Sequence, residues 1–205
     1  MKTANSVLMK QARESLVGKW GLAIGVLVVY LFITVLFKSI PDKGHYPLLL
    51  IMDLCNLLVS GPLALGLAIF SLSLSRNQNP KFSQIFEGFK RFGTAMATYI
   101  LMGLFVLLWA LLLLVPGIIA CLSYSMAFFI LVDDPSITAR GAISKSKKMM
   151  YGHKWKLFCL GLRFFGWAIL SVLTAGIGFL WLVPYLNIST VKFYDDIKGS
   201  VPSVA

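Results

Sequence analysis

The stretch DDPSITARGAISKSKKMMYGHKWKLFCLGLRFFGWAILSVLTAGIGFLWLVPY, residues 133–185, decides how the chain is read. Asp134-Pro135 offers a helix N-cap acceptor followed by a proline whose missing N–H costs nothing in a first turn. Downstream, Ala139, Ala142, Ile143, Ser146, Met149 and Met150 recur at helical spacing on one face, while Arg140, Ser144, Lys145, Lys147 and Lys148 fall mostly on the other. The pattern predicts a positively charged amphipathic helix over 135–151, suited to a membrane surface. Gly152-His153-Lys154-Trp155 then leads into an apolar run. A basic residue beside tryptophan is what the water–lipid boundary favours: the ring for its amphipathic body, the ammonium for the headgroups.

Composition points the same way. Of 205 residues, 58% are hydrophobic and only 13% charged, against about 25% charged in a soluble domain. One soluble core cannot hide that much apolar surface, so lipid is the expected solvent. The net charge of +11 raises the question of nucleic acid. The Lys and Arg residues, however, cluster in short segments beside apolar runs, where membrane topology and anionic lipid account for them without a nucleic-acid partner. Cys55, Cys121 and Cys159 fall within apolar runs and read as small hydrophobes, neither a disulfide framework nor a metal set. His45 and His153 have no second ligand at metal-site spacing, so no metal or cofactor is expected.

Working outward, hydropathy divides the chain into six spans, at 20–37, 48–75, 93–115, 117–132, 156–175 and 179–192. The uncharged run from Trp20 is too long for a signal-peptide core and no small-x-small cleavage site follows it. Segment 48–75 exceeds the ~20 residues a crossing needs, and it contains Asp53, Asn56 and Ser60-Gly61-Pro62, so a kink is expected there and again at Pro184. Val115-Pro116-Gly117 divides the third span from the fourth. A run of ~38 uncharged residues is too long for one crossing, which favours a tight turn over a broken helix. Asn187-Ile188-Ser189 matches a glycosylation sequon, but its position in or against the membrane makes the match formal.

An internal repeat emerges. Each hairpin of spans is preceded by an interfacial amphipathic segment, at 3–18, 80–92 and 135–151, and by a glycine-basic-aromatic junction at Gly18-Lys19-Trp20, Gly88-Phe89-Lys90-Arg91-Phe92 and Gly152-His153-Lys154-Trp155. Asn79-Pro80 repeats the Asp134-Pro135 opening, and Phe82, Ile85, Phe86 and Phe89 form an i, i+3, i+4, i+7 stripe. The expected architecture is all-α: a polytopic membrane protein of six transmembrane helices in three parallel hairpins. Both termini and the basic segments then lie in the cytoplasm. The lipid-interface candidates are Trp20, Lys90, Arg91, Arg140, Lys145, Lys147, Lys148, Lys154 and Trp155.

Three segments carry a resemblance. Ala12-Arg13-Glu14-Ser15-Leu16-Val17-Gly18-Lys19-Trp20, Ile85-Phe86-Glu87-Gly88-Phe89-Lys90-Arg91-Phe92, and the run from Pro116-Gly117-Ile118 through Ser123-Tyr124-Ser125-Met126 to Gly152-His153-Lys154-Trp155 resemble the bacterial domain-of-unknown-function 975 family of integral membrane proteins, over nearly the whole chain. The resemblance implies a six-span protein of the bacterial cell membrane. It supplies no established activity, so no functional residue is carried over. Arg163, in Leu162-Arg163-Phe164-Phe165-Gly166-Trp167, stands where the family resemblance leads one to expect a small or neutral residue.

No paired intramembrane carboxylates, Gly-rich phosphate loop or His-Glu-x-x-His motif stands out, and an enzyme is not expected. The functional candidates are intramembrane polar groups: Asp53, Asn56, Arg163 and Asn187. A charge at mid-span costs about 2.5–3.5 kcal/mol on insertion scales and is usually paired or wetted. Arg163 is therefore expected to pair inside the bundle, with Asp53 as first partner and Asn56 as the neutral alternative; snorkelling to the interface and a place in a polar pathway are the competing readings. The expected function is a non-catalytic scaffold or accessory protein at the inner leaflet, in contact with anionic lipids and an unidentified membrane protein. The alternative is a small transporter or channel using helices broken at Gly61-Pro62 and Pro184.

Overall fold

A computed structural model describes residues 3–36 and 46–198. The described residues are helical: α1 (Asn5–Leu16), α2 (Trp20–Leu36), α3 (Tyr46–Ser75), a 3₁₀ helix (Phe82–Arg91), α4 (Phe92–Leu112), α5 (Leu114–Tyr124), α6 (Ala127–Asp133), α7 (Ala139–Met149), α8 (Lys154–Leu173) and α9 (Phe179–Lys198). Met52–Ser75, Phe82–Leu112, Leu114–Asp133 and Lys154–Leu173 are long and apolar enough to cross a membrane, and α1 with α2 forms a further unit bent by 94°. The segment 37–45, with Gly44 and His45, lies outside the described residues.

The α4–α5 and α8–α9 connections turn tightly. After Trp109 the chain extends for one residue at Leu113 and reverses, so that a Cβ on Gly117 would stand 2.8 Å from the Ala110 Cβ. The α8–α9 turn does the same: a Cβ on Gly178 would stand 2.8 Å from the Ser171 Cα, with Gly176 at φ +86° in the left-handed region glycine favours. Contact between residues seven apart requires reversal, because a continuous helix would separate them by about 10 Å. The tight turn at 113 therefore prevails over one long helix.

The prolines behave differently from the expectation of broken helices. α3 runs unbroken through Pro62 and α9 through Pro184. The break falls instead at Ser125-Met126, between α5 and α6. The two Xaa-Pro openings also differ from the expectation. Asn79 is left-handed at φ 47°, and the 3₁₀ helix begins only after Lys81, whose N–H donates to Gln84 Oε1. Asp134 accepts from the Ser136 hydroxyl at 2.7 Å, and α7 is capped by Thr138, whose Oγ1 accepts from Gly141 N–H. At Asp134 the short polar side chain before proline closes a local turn, leaving the cap to a later residue.

Of the three segments read as interfacial, α1 and α7 bury most of their apolar positions against the protein itself. Leu8, Ala12 and Leu16 of α1 are buried where it packs on α9, α3 and α8. Ala139, Ala142, Ile143, Ser146, Met149 and Met150 are buried where α7 meets α4, α5 and α6, and the Ser146 hydroxyl donates to the Ser123 carbonyl at 2.7 Å. Helical periodicity identifies a buried face but not its partner.

The Phe stripe splits for a geometric reason. In a 3₁₀ helix residues i and i+3 eclipse, so positions grouped by an α-helical period separate. Ile85 and Gly88 share one row and turn onto α3, whereas Phe86 and Phe89 share another and stay exposed, as does Phe82 at the first position of the helix. The approach is close enough that a Cβ on Gly88 would lie 1.9 Å from the Pro62 carbonyl oxygen, and one on Gly66 would lie 1.8 Å from that of Ile85. Among the junction glycines, Gly18 (φ +75°) and Gly152 (φ +78°) instead end helices in the left-handed region.

The core lies toward one end of the molecule. Leu65 and Leu72 of α3, Phe129 and Ile130 of α6, Met149 of α7, Leu160 and Phe164 of α8, and Val191, Phe193 and Tyr194 of α9 pack together with Leu8 of α1. At the opposite end the hairpins bare their apolar side chains: Leu107, Leu111 and Leu114 on one, Trp167, Leu173 and Trp181 on the other. Apolar surface this continuous calls for an apolar solvent or partner.

Candidate functional site

The core end is closed by charge. Arg76 follows directly on α3, Asp133 ends α6 and Asp195 lies in the last turn of α9, so three helix C-termini each contribute one ion. The Arg76 guanidinium grips Asp133 with two hydrogen bonds, of 2.7 and 3.0 Å, and reaches Asp195 at 2.6 Å. Tyr194 Oη donates to Asp133 at 2.9 Å and Lys198 Nζ to the same oxygen at 2.5 Å. A carboxylate at a helix C-terminus opposes the macrodipole, and the cation shared between two of them offsets that cost. The Asp133 hydrogen bond raises the Arg76 pKa most, against the effect of burial. Burial, then the Asp133 charge, pushes the Tyr194 phenol well above its usual range.

Basic side chains also cap carbonyls at these ends. Lys192 Nζ donates to the Ser75 carbonyl at 2.7 Å. Arg91 donates to the carbonyls of Leu131 at 2.5 Å and Pro135 at 2.6 Å, supplying partners that the last turn of α6 lacks. Asp196 accepts from Lys156 at 2.8 Å and from the Thr3 hydroxyl at 2.6 Å. Burial tends to raise the Asp196 pKa, but these partners outweigh it and hold it below the usual value.

The expected interface residues divide accordingly. Arg91 is engaged with α6, and Trp20 is half-buried in a groove with Arg13, Trp167, Trp181 and Tyr185. Arg140, Lys147 and Lys148 are exposed along α7, Lys145 stands 3.6 Å from Asp134, and Lys90 is exposed on the 3₁₀ helix. Lys154 is half-buried, while Trp155 is 72% and Tyr151 84% exposed beside it.

The intramembrane candidates do not converge. Arg163 is exposed on α8 between exposed Leu162 and Phe165, and Asp53 belongs to a cleft between α2, α3 and α4. Neither forms an ion pair among the described residues, so the expected Arg163–Asp53 bridge is absent there. Facing sides of the helices, not similar depth, decide pairing, and α8 packs chiefly on α9 and α5. Asn56 shares the Asp53 cleft and accepts from Ser60 through its carbonyl and Oδ1. Asn187 lines a separate crevice with Ala23, Phe70 and Ser71. Among the described residues no group of His, Cys, Asp and Glu could hold a metal ion.

The Arg76–Asp133–Asp195 clasp was missed by sequence reading. Its signal was present only as three charges, each terminating a second apolar segment.

An all-helical chain with four long apolar helices, baring continuous hydrocarbon at one end and tied by ion pairs at the other, fits the class of multi-pass membrane proteins. The chain belongs to the DUF975 family, described as proteins of unknown function, whose model matches residues 1–123 and 111–200. No curated protein and no solved structure shows a significant match.

Proposed function

We propose that the protein is a non-catalytic scaffold of the bacterial cytoplasmic membrane, with six spans in three hairpins, both termini in the cytoplasm and the clasp end at the inner leaflet. Its working surface is the outer face of α7, which engages anionic lipid headgroups. The observation that carries this reading is the seating of α7. With its apolar positions buried against α4, α5 and α6, the helix holds Arg140, Lys145, Lys147 and Lys148 outward on a fixed support. Exposed Tyr151 and Trp155 follow, amphipathic rings of the kind that a headgroup boundary favours. Each basic residue near an anionic surface contributes about 1 kcal/mol, screened by salt. The continuity of α3 and α9 through Pro62 and Pro184 supports this reading over a transporter or channel built on helices broken there.

The test is lipid analysis of protein purified in mild detergent. Replacing Lys145, Lys147 and Lys148 by Gln is expected to weaken anionic-lipid enrichment while leaving helix content and insertion unchanged; undiminished enrichment would refute the role of α7. Sidedness is tested by cysteine labelling in a background lacking Cys55, Cys121 and Cys159. Ser146 is fully buried and unsuited to the purpose, so exposed Ser144 is the inner site. Cysteines at 144 and 44 are expected to label from opposite faces of the membrane, and labelling from one face would overturn the six-span arrangement.

A further inference from the structure

Between α2, α3 and α4 lies a cleft of about 420 Å³ on which the proposed scaffold role makes no demand. Tyr30 and Thr34 line it from α2, Asp53, Asn56 and Ser60 from α3, and Tyr99 from α4. Two of its hydroxyls are satisfied locally: Thr34 donates to the Tyr30 carbonyl at 3.0 Å and Ser60 to that of Asn56 at 2.7 Å. The Asp53 carboxylate makes no hydrogen bond or ion pair among the described residues, although it lies within the long apolar helix α3. A carboxylate at such a place needs water or a cation to remain charged.

The surroundings select the cation. A divalent metal takes six or more oxygen ligands, or an octahedron with strict geometry, and here a single carboxylate is accompanied by groups without formal charge. An ammonium asks less: one anionic acceptor for its charge, and aromatic faces for its hydrocarbon. Tyr30 and Tyr99 supply two rings from opposite helices, and Leu57 and Val35 supply apolar wall. The volume accommodates a small amine with an aromatic or branched alkyl body, and is at the lower end of the range for small-molecule pockets.

We propose that this cleft binds a small monovalent organic cation, with the ammonium on the Asp53 carboxylate and the apolar body between Tyr30 and Tyr99. The site is independent of the basic face of α7.

The experiment is calorimetric titration of the full-length protein in mild detergent with benzyltrimethylammonium chloride, and with benzyl alcohol as the uncharged control. Saturable binding of the ammonium is expected, and Asp53→Asn should weaken it about tenfold or more. Tyr99→Phe, which keeps the ring, should bind within about twofold of the parent. Tyr99→Leu should bind several-fold more weakly, the scale of a single cation–π contact. Helix content and monodispersity establish that each variant is folded; if Asp53→Asn fails that check, the Tyr99 pair decides. Absence of saturable binding to the folded parent, equal binding of benzyl alcohol, or indifference to Asp53→Asn or to Tyr99→Leu in the folded variant would overturn the proposal.

Discussion

Replacing Arg76 by Met keeps most of the side-chain stem and deletes the charge that joins α3 to α6 and α9. The magnitude follows from exposure. The side chains of Arg76, Asp133 and Asp195 are 26%, 11% and 32% exposed, so the clasp is neither a surface pair nor a dry one. Exposed pairs contribute about 0–1 kcal/mol, whereas removing one partner of a buried pair costs about 3–5 kcal/mol because a charge is stranded. Asp133 would keep Lys198 and Tyr194, while Asp195 would lose its only ion pair among the described residues. The expected loss is about 2–3 kcal/mol, which for a chain of this size lowers the melting temperature by roughly 5–10 °C. Intrinsic-fluorescence melting in detergent measures it. The triple variant Arg76→Met, Asp133→Asn, Asp195→Asn removes the stranded carboxylate charges and should recover at least half of the loss, since a neutral replacement of an ion cluster is often tolerated. A single variant that melts within about 1 °C of the parent, or a triple variant no better than the single one, would refute the clasp as a stabilising element.

Gly88→Ala should be severely destabilising, at about 3 kcal/mol or more, because its Cβ would meet the backbone of Pro62 and Gly66, which cannot yield as a side-chain tip can. Gly93→Ala, with nothing within 4 Å of the added carbon, is the control and should melt at or slightly above the parent temperature. Asp196 gives a pH signature: its folded pKa is depressed below 3.8, so its contribution is present above that value and is lost as pH falls through the lower folded value. Stability measured from neutral pH to acid should therefore fall less steeply below pH 3.8 in Asp196→Asn than in the parent, and parallel curves would exclude the Lys156–Asp196–Thr3 contact as the cause.

Much of the helical layout is written in local properties. Apolar runs mark α3, α4 and α8, and Gly18 and Gly152 mark the ends of α1 and α7, because hydropathy and backbone preference act within a few residues. The residues of α7 that are buried are also recognisable from spacing alone. What spacing cannot say is what covers them, since protein and lipid reward the same stripe. The 3₁₀ form of Phe82–Arg91 is equally hidden: it answers to the groove offered by Gly66 on α3, and it redirects phenylalanines that an α-helical period would place beside Ile85. The ionic pairing went furthest astray. Asp53 and Arg163 attract notice as charges in apolar runs, yet they sit on helices that do not face each other. Arg76, Asp133 and Asp195 look like ordinary boundary charges, and only the convergence of three helix ends brings them within hydrogen-bonding distance. Hydropathy determines where the chain is helical and where it needs an apolar solvent. Which charges meet is decided by the tertiary structure, because Coulombic attraction and hydrogen bonding depend on distances between segments that lie 57 to 119 residues apart in the chain.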